Sequence, residues 1–257
     1  MIGMMAPTIS QFGFWTLGTT GIISLIAATT NAFNGALLAR RPDHYKHFTV
    51  AGVLILAYAG GIGGGIIRDV LVNKIPAPLV NPWYLIACFV AGSLALVTEY
   101  YVAQRFKSGL FAFMTAFSLP WYAIVGAQAA LDAHLGYLAA VILGVIATTA
   151  GRWIIDVACN VIPKQLVRGE FFVTAAALTG IAYVICAPML GLSTIASSAI
   201  AFFVGFGFRL LSQFLGWEEW EPWEPPALET GEKARDTLGV ALQAEFDKTA
   251  GKPTVDR

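Results

Sequence analysis

The sequence predicts an all-α membrane protein with seven transmembrane helices, arranged as an inverted three-plus-three repeat with one extra helix. Three observations predict it. The 257 residues are 57% hydrophobic and only 12% charged, with a mean hydropathy of +0.68, whereas about a quarter of the residues in an ordinary soluble domain are charged. The run Gly60-Gly61-Ile62-Gly63-Gly64-Gly65-Ile66-Ile67-Arg68-Asp69 puts five glycines and then an oppositely charged pair inside an apolar stretch. Residues 69–80 recur as residues 156–167, at an offset of 87 and with seven identities in twelve.

Residues 1–11 carry no lysine or arginine, so the basic start of a cleaved secretory signal is missing and the first hydrophobic segment is expected to be retained. That segment, about 12–39, exceeds the roughly 20 residues that a span needs. A basic loop from Arg40 to His47 ends it. Span two covers about 48–72 and holds the glycine run. Residues 73–82 read as a loop, and Trp83 with Tyr84 mark the interface at the start of span three, which reaches about 103. Span four covers 109–131. Span five runs over 135–159 and contains Gly151-Arg152. Spans six and seven follow at 170–187 and 192–215. Beyond them lies an acidic tail, 216–257, that opens with interleaved tryptophan and glutamate.

The net charge of zero hides an asymmetry: eleven Lys/Arg against six Asp/Glu in residues 1–213, and five against ten in residues 214–257. The loops after spans one, three and five hold seven Lys/Arg, while those after two, four and six hold only Lys74. By the positive-inside rule the first set is cytoplasmic, which places the N-terminus outside and the tail inside. The basic residues are spread over short loops, so nucleic-acid binding has no support.

The repeat sets the organisation. The offset of 87 also pairs Gly64 with Gly151 and Tyr84 with Phe171; upstream, Gly35-Ala36 pairs with Gly126-Ala127 at an offset of 91. Residues 12–103 therefore repeat as residues 109–187, leaving 192–215 as a seventh helix and 216–257 as a cytoplasmic tail. Three spans per copy make the copies enter the membrane in opposite directions. In such folds, broken helices from the two halves meet near the midplane where ions or solutes pass. Spans two and five, broken by their glycines, are expected to play that part.

The Gly-Gly-Gly-Ile-Ile-Arg-Asp run at 63–69, the Asn-x-Ile-Pro after it and the three-plus-three-plus-one layout resemble the prokaryotic relatives of trimeric intracellular cation (TRIC) channels. That group overlaps bacterial proteins with a glycine transporter domain (UPF0126-like). The resemblance covers about residues 12–213. It implies a homotrimer in the lipid bilayer, each protomer passing potassium or sodium ions along spans two and five, with no cofactor. Gly63, Gly64, Gly65, Arg68 and Asp69 match the first copy of the motif, and Gly151 and Asp156 the second. The second copy departs from the pattern: Ile155 stands where another arginine would align, and Arg152 where the third glycine would.

On this basis the candidate ion-pathway and gating residues are Gly63, Gly64, Gly65, Arg68, Asp69, Gly151, Arg152 and Asp156. The glycines would expose carbonyl oxygens to a cation, with Arg68 reaching Asp156 and Arg152 reaching Asp69 across the repeat. Simpler readings stand beside these. The glycines also suit a helix-packing surface, Arg68 could snorkel to the interface, and Asn73, Pro76, Asn160 and Pro163 could simply terminate helices.

Cys88, Cys159 and Cys186 lack metal-ligand spacing and read as apolar packing residues; no metal site is expected. A secondary transporter of a small solute such as glycine is the alternative function, since inverted repeats serve alternating access equally well. Enzymatic motifs such as G-x-S-x-G and H-E-x-x-H are absent.

Overall fold

The computed structural model describes residues 18–39, 48–101, 107–163, 165, 169 and 171–219. The expectations for residues 12–17, the basic loop at 40–47 and the tail beyond 219 lie outside the described residues. Among the described residues, eight α-helices follow in order: α1 (Thr19–Ala39), α2 (Val50–Leu71), α3 (Ala77–Val80), α4 (Pro82–Tyr101), α5 (Lys107–Asp132), α6 (Tyr137–Ala158), α7 (Val173–Val184) and α8 (Thr194–Leu215). A π-turn at Ile185–Met189 extends α7. Helices α1, α2, α6 and α8 are long and apolar enough to cross a membrane, and Pro82–Thr98 and Val173–Met189 are shorter apolar helices. Within the loop expected at 73–82, the structure forms α3, a single turn that starts after Pro76, where proline's fixed φ suits a first helical turn.

The ends of α2 and α6 are the same structure twice. Asn73 and Asn160 both take a left-handed φ of 55°, a conformation that asparagine tolerates better than most residues. The Lys74 N–H donates to the Asp69 carbonyl at 2.8 Å and the Val161 N–H to the Asp156 carbonyl at 2.9 Å. These bonds satisfy carbonyls that a helix end otherwise leaves open. The asparagines thus terminate helices, as their simpler reading held.

Glycines draw the helices together. A Cβ on Gly35 would lie 2.6 Å from the Leu56 carbonyl oxygen, and one on Gly126 would lie 2.7 Å from that of Leu143. Those two pairs are repeat mates, so α1 packs on α2 as α5 packs on α6. Between the copies, a Cβ on Gly64 would run into the Ala147 carbonyl oxygen, and one on Gly151 would lie 3.0 Å from the Gly60 carbonyl oxygen. Gly64 and Gly151 are mates, and so are Gly60 and Ala147, so the contact is reciprocal, as at a two-fold axis. The flanks agree. Cys159 joins the cluster of Val53 and Leu56, while its mate Val72 packs on the cluster of Ala140 and Leu143. The end of each helix thus lies by the start of the other, and α2 and α6 cross antiparallel.

The expected glycine breaks are not what forms. Helix α2 is continuous from Val50 to Leu71 and α6 from Tyr137 to Ala158. The missing side chains let backbone meet backbone, and contact of that kind offsets the roughly 1 kcal/mol by which each glycine disfavours a helix.

Helix α8, outside the repeated part, packs on α5 and α7. Trp121 stacks on Phe202 with centroids 4.3 Å apart, and Phe117 meets Phe202 and Phe206 edge-on. A Cβ on Gly205 would overlap the Thr179 hydroxyl, so α7 and α8 also touch closely. Cys88, Cys159 and Cys186 are all buried with free thiols, in keeping with packing roles.

Candidate functional site

In the first copy, Gly63 and Gly64 face α6, whereas nothing lies within 4 Å of a Cβ built on Gly65. Gly65 is nevertheless buried, so it borders an internal gap. One turn on, Arg68 and Asp69 pair with each other: Arg68 Nε lies 2.7 Å from Asp69 Oδ1, and Nη2 is also 2.7 Å from it. Both residues are 5% exposed. Asp69 Oδ2 accepts from the Ala77 N–H at 2.9 Å, which fixes the start of α3 to the end of α2. Arg68 therefore does not snorkel; it is held inside.

In the second copy Gly151 lies on α2. Arg152 Nε donates to Asp156 at 3.2 and 3.3 Å, a pairing that the i, i+4 spacing favours. Asp156 is fully buried. The expected cross-repeat pairs, Arg68 with Asp156 and Arg152 with Asp69, do not form. Helices rise about 1.5 Å per residue, and both charged pairs follow the crossing in their own helix. An antiparallel crossing carries them to opposite ends, and each aspartate takes the arginine of its own copy.

Beside the crossing lies an open recess with a volume of about 40 Å³. Asn31 and Asn34 of α1, Thr115 and Ser118 of α5, and Thr148 and Arg152 of α6 supply its polar lining. Asn34 Nδ2 donates to Ser118 Oγ at 3.4 Å. Its Oδ1 is buried without a hydrogen-bond partner among the described residues. Arg152 is the one sequence-derived candidate that lines this space; Gly63, Gly64 and Gly151 build the crossing behind it, and Arg68, Asp69 and Asp156 are not in its lining. The sequence reading missed the two asparagines, Thr115, Ser118 and Thr148. A signal existed: Asn31 with Asn34, and Thr115 with Ser118, are polar pairs three apart, which puts each pair on one face of an otherwise apolar helix.

The family profile described as "Glycine transporter" matches residues 21–100 and 112–188. The chain belongs to this family. The chain is similar to a UPF0126 membrane protein of Deinococcus radiodurans, 33% identical over 168 residues, which span 65% of this chain and 75% of the relative. The UPF0126 inner membrane protein YadS of Escherichia coli is 30% identical over 164 residues, 63% and 75% of the two chains. Among solved structures, the fold of this UPF0126 chain is similar to the TRIC trimeric intracellular cation channel orthologue from Rhodobacter sphaeroides. The TM-score is 0.69 at 26% identity, over 77% of this chain and 98% of that one. With its apolar helices, the chain is a multi-pass membrane protein of TRIC-like fold.

Proposed function

We propose that this protein is a monovalent cation channel, passing potassium and sodium ions through one pathway in each protomer of a homotrimer. The observation that carries the reading is the polar recess, set in an apolar bundle whose fold resembles a cation channel over nearly that channel's whole length. Neutral side-chain oxygens such as Asn34 Oδ1 and the hydroxyls of Thr115, Ser118 and Thr148 can replace water around an ion. Arg152 does not repel a cation as a lone arginine would, because Asp156 offsets its charge. The pathway follows the groove among α1, α2, α5 and α6, with the glycine crossing as its wall.

The same reading takes residues 12–103 and 109–187 as inverted copies, with 192–215 as a seventh spanning helix and 216–257 as a cytoplasmic tail. The reciprocal contacts across α2 and α6 support it. The loop charges favour an outside N-terminus, and the inner membrane relative YadS favours the prokaryotic plasma membrane. The family's description favours a second reading, a carrier of a small solute such as glycine.

Planar-bilayer recording of the purified full chain in a potassium chloride gradient separates the two. Unitary currents that reverse near the potassium potential, with altered amplitude in Arg152→Ala, are expected. Silent bilayers together with labelled-glycine counterflow in proteoliposomes would establish the carrier instead.

A further inference from the structure

The repeat offers a comparison within the molecule. At the two offsets, the recess residues Asn31, Thr148 and Arg152 have as mates Tyr122, Gly61 and Gly65. The mates should line an equivalent hollow in the other half of the groove. They do not leave one open. Tyr122 is 2% exposed, and its hydroxyl donates to the Gly61 carbonyl, so the phenol occupies the space that Asn31 and Thr148 leave free on their side. Gly65, the mate of Arg152, still has a gap beside it.

Position along the groove sharpens the contrast. Tyr122 stands one turn of α5 beyond Ser118 and Leu119, and its acceptor Gly61 follows Gly60 on α2; these three neighbours all line the recess. The open half of the groove therefore ends where the tyrosine side chain begins. The side chains differ between the halves although α1 packs on α2 as α5 packs on α6.

We propose that Tyr122 is a gate: its phenol, latched to the Gly61 carbonyl, closes one half of a pathway whose other half is already open. The proposal rests on the channel reading. Opening breaks one hydrogen bond and swings one side chain towards the gap at Gly65, with no unwinding of α2 or α6. Gly61 is buried, and its carbonyl matters as an acceptor because Gly64 and Gly65, one turn on, have no side chains to cover it.

Two measurements on the full chain test this. In bilayers, Tyr122→Phe, which keeps the ring and removes the latch, is expected to raise open probability roughly threefold to tenfold, the shift that loss of one hydrogen bond gives. Tyr122→Asn, which installs the mate's residue, is expected to raise it further. The second measurement needs no current. Gly65→Cys, in a background with Cys88, Cys159 and Cys186 changed to alanine, is labelled with a membrane-impermeant methanethiosulfonate. The rate is expected to rise about tenfold when Tyr122→Asn is added. Faster labelling with silent bilayers throughout would overturn the channel reading and leave the plug standing. Unchanged labelling, or an open probability that Tyr122→Phe does not move in a conducting protein, would overturn the gate.

Discussion

At the scale of single residues, the two arginines hold two buried carboxylates in different ways. Asp156 is fully buried and meets Arg152 from one turn earlier, so Arg152→Ala takes the cation away from a buried carboxylate. Breaking a buried ion pair in that way costs about 3 kcal/mol or more. The expected outcome is a large fall in thermal stability in detergent, most of it recovered when Asp156→Asn is added, because the pair is then absent rather than broken. Asp69 has a second anchor in the Ala77 N–H. Arg68→Ala is therefore expected to loosen α3 as well, seen as faster hydrogen exchange at residues 77–80. The sequence put these charges inside apolar segments but paired Arg152 with Asp69 and Arg68 with Asp156, although Arg152 and Asp156 stand four apart on one helix face. It could not show which partner Arg68 takes, since neighbours on a helix diverge by about 100° and only the flexible guanidinium brings Arg68 back to Asp69.

At the scale of helices, adjacent glycines serve opposite ends. Gly64 meets the Ala147 carbonyl, while Gly65 meets nothing. Gly64→Ala is expected to push α2 from α6 and lower the melting temperature. Gly65→Ala is expected to stabilise by up to about 1 kcal/mol through helix propensity alone; a thermal scan of the two variants decides it, and equal effects would contradict the packing described. Composition marked this stretch as unusual but could not separate a broken helix from a close crossing. Both need residues without side chains, and the choice depends on what the other helix presents. The recess was hidden for a related reason. Its polar residues come from α1, α5 and α6, far apart in sequence, and each pair alone looks like an ordinary polar spot on a helix.

At the scale of the whole molecule, the repeat was the most legible feature, because identity at a constant offset survives ignorance of packing. Helix ends followed closely: the last turns of α2 and α6 stop where Asn73 and Asn160 predicted. The short α3 escaped, being too brief to show periodicity. A homotrimer is expected when mass is measured by light scattering with detergent and lipid subtracted, and a monomer would remove that part of the proposal. One consequence of the ion pairs reaches the electrical behaviour of the assembly. The only charged residues of α2 are Arg68 and Asp69, and those of α6 are Arg152 and Asp156. Each helix is thus formally neutral, and shifting either as a rigid rod moves no net charge through the transmembrane field. A lone charge would gain about 2.3 kcal/mol per 100 mV. Voltage has little purchase on these two rods, and a steep voltage dependence would have to come from the permeating ion or from other parts of the chain.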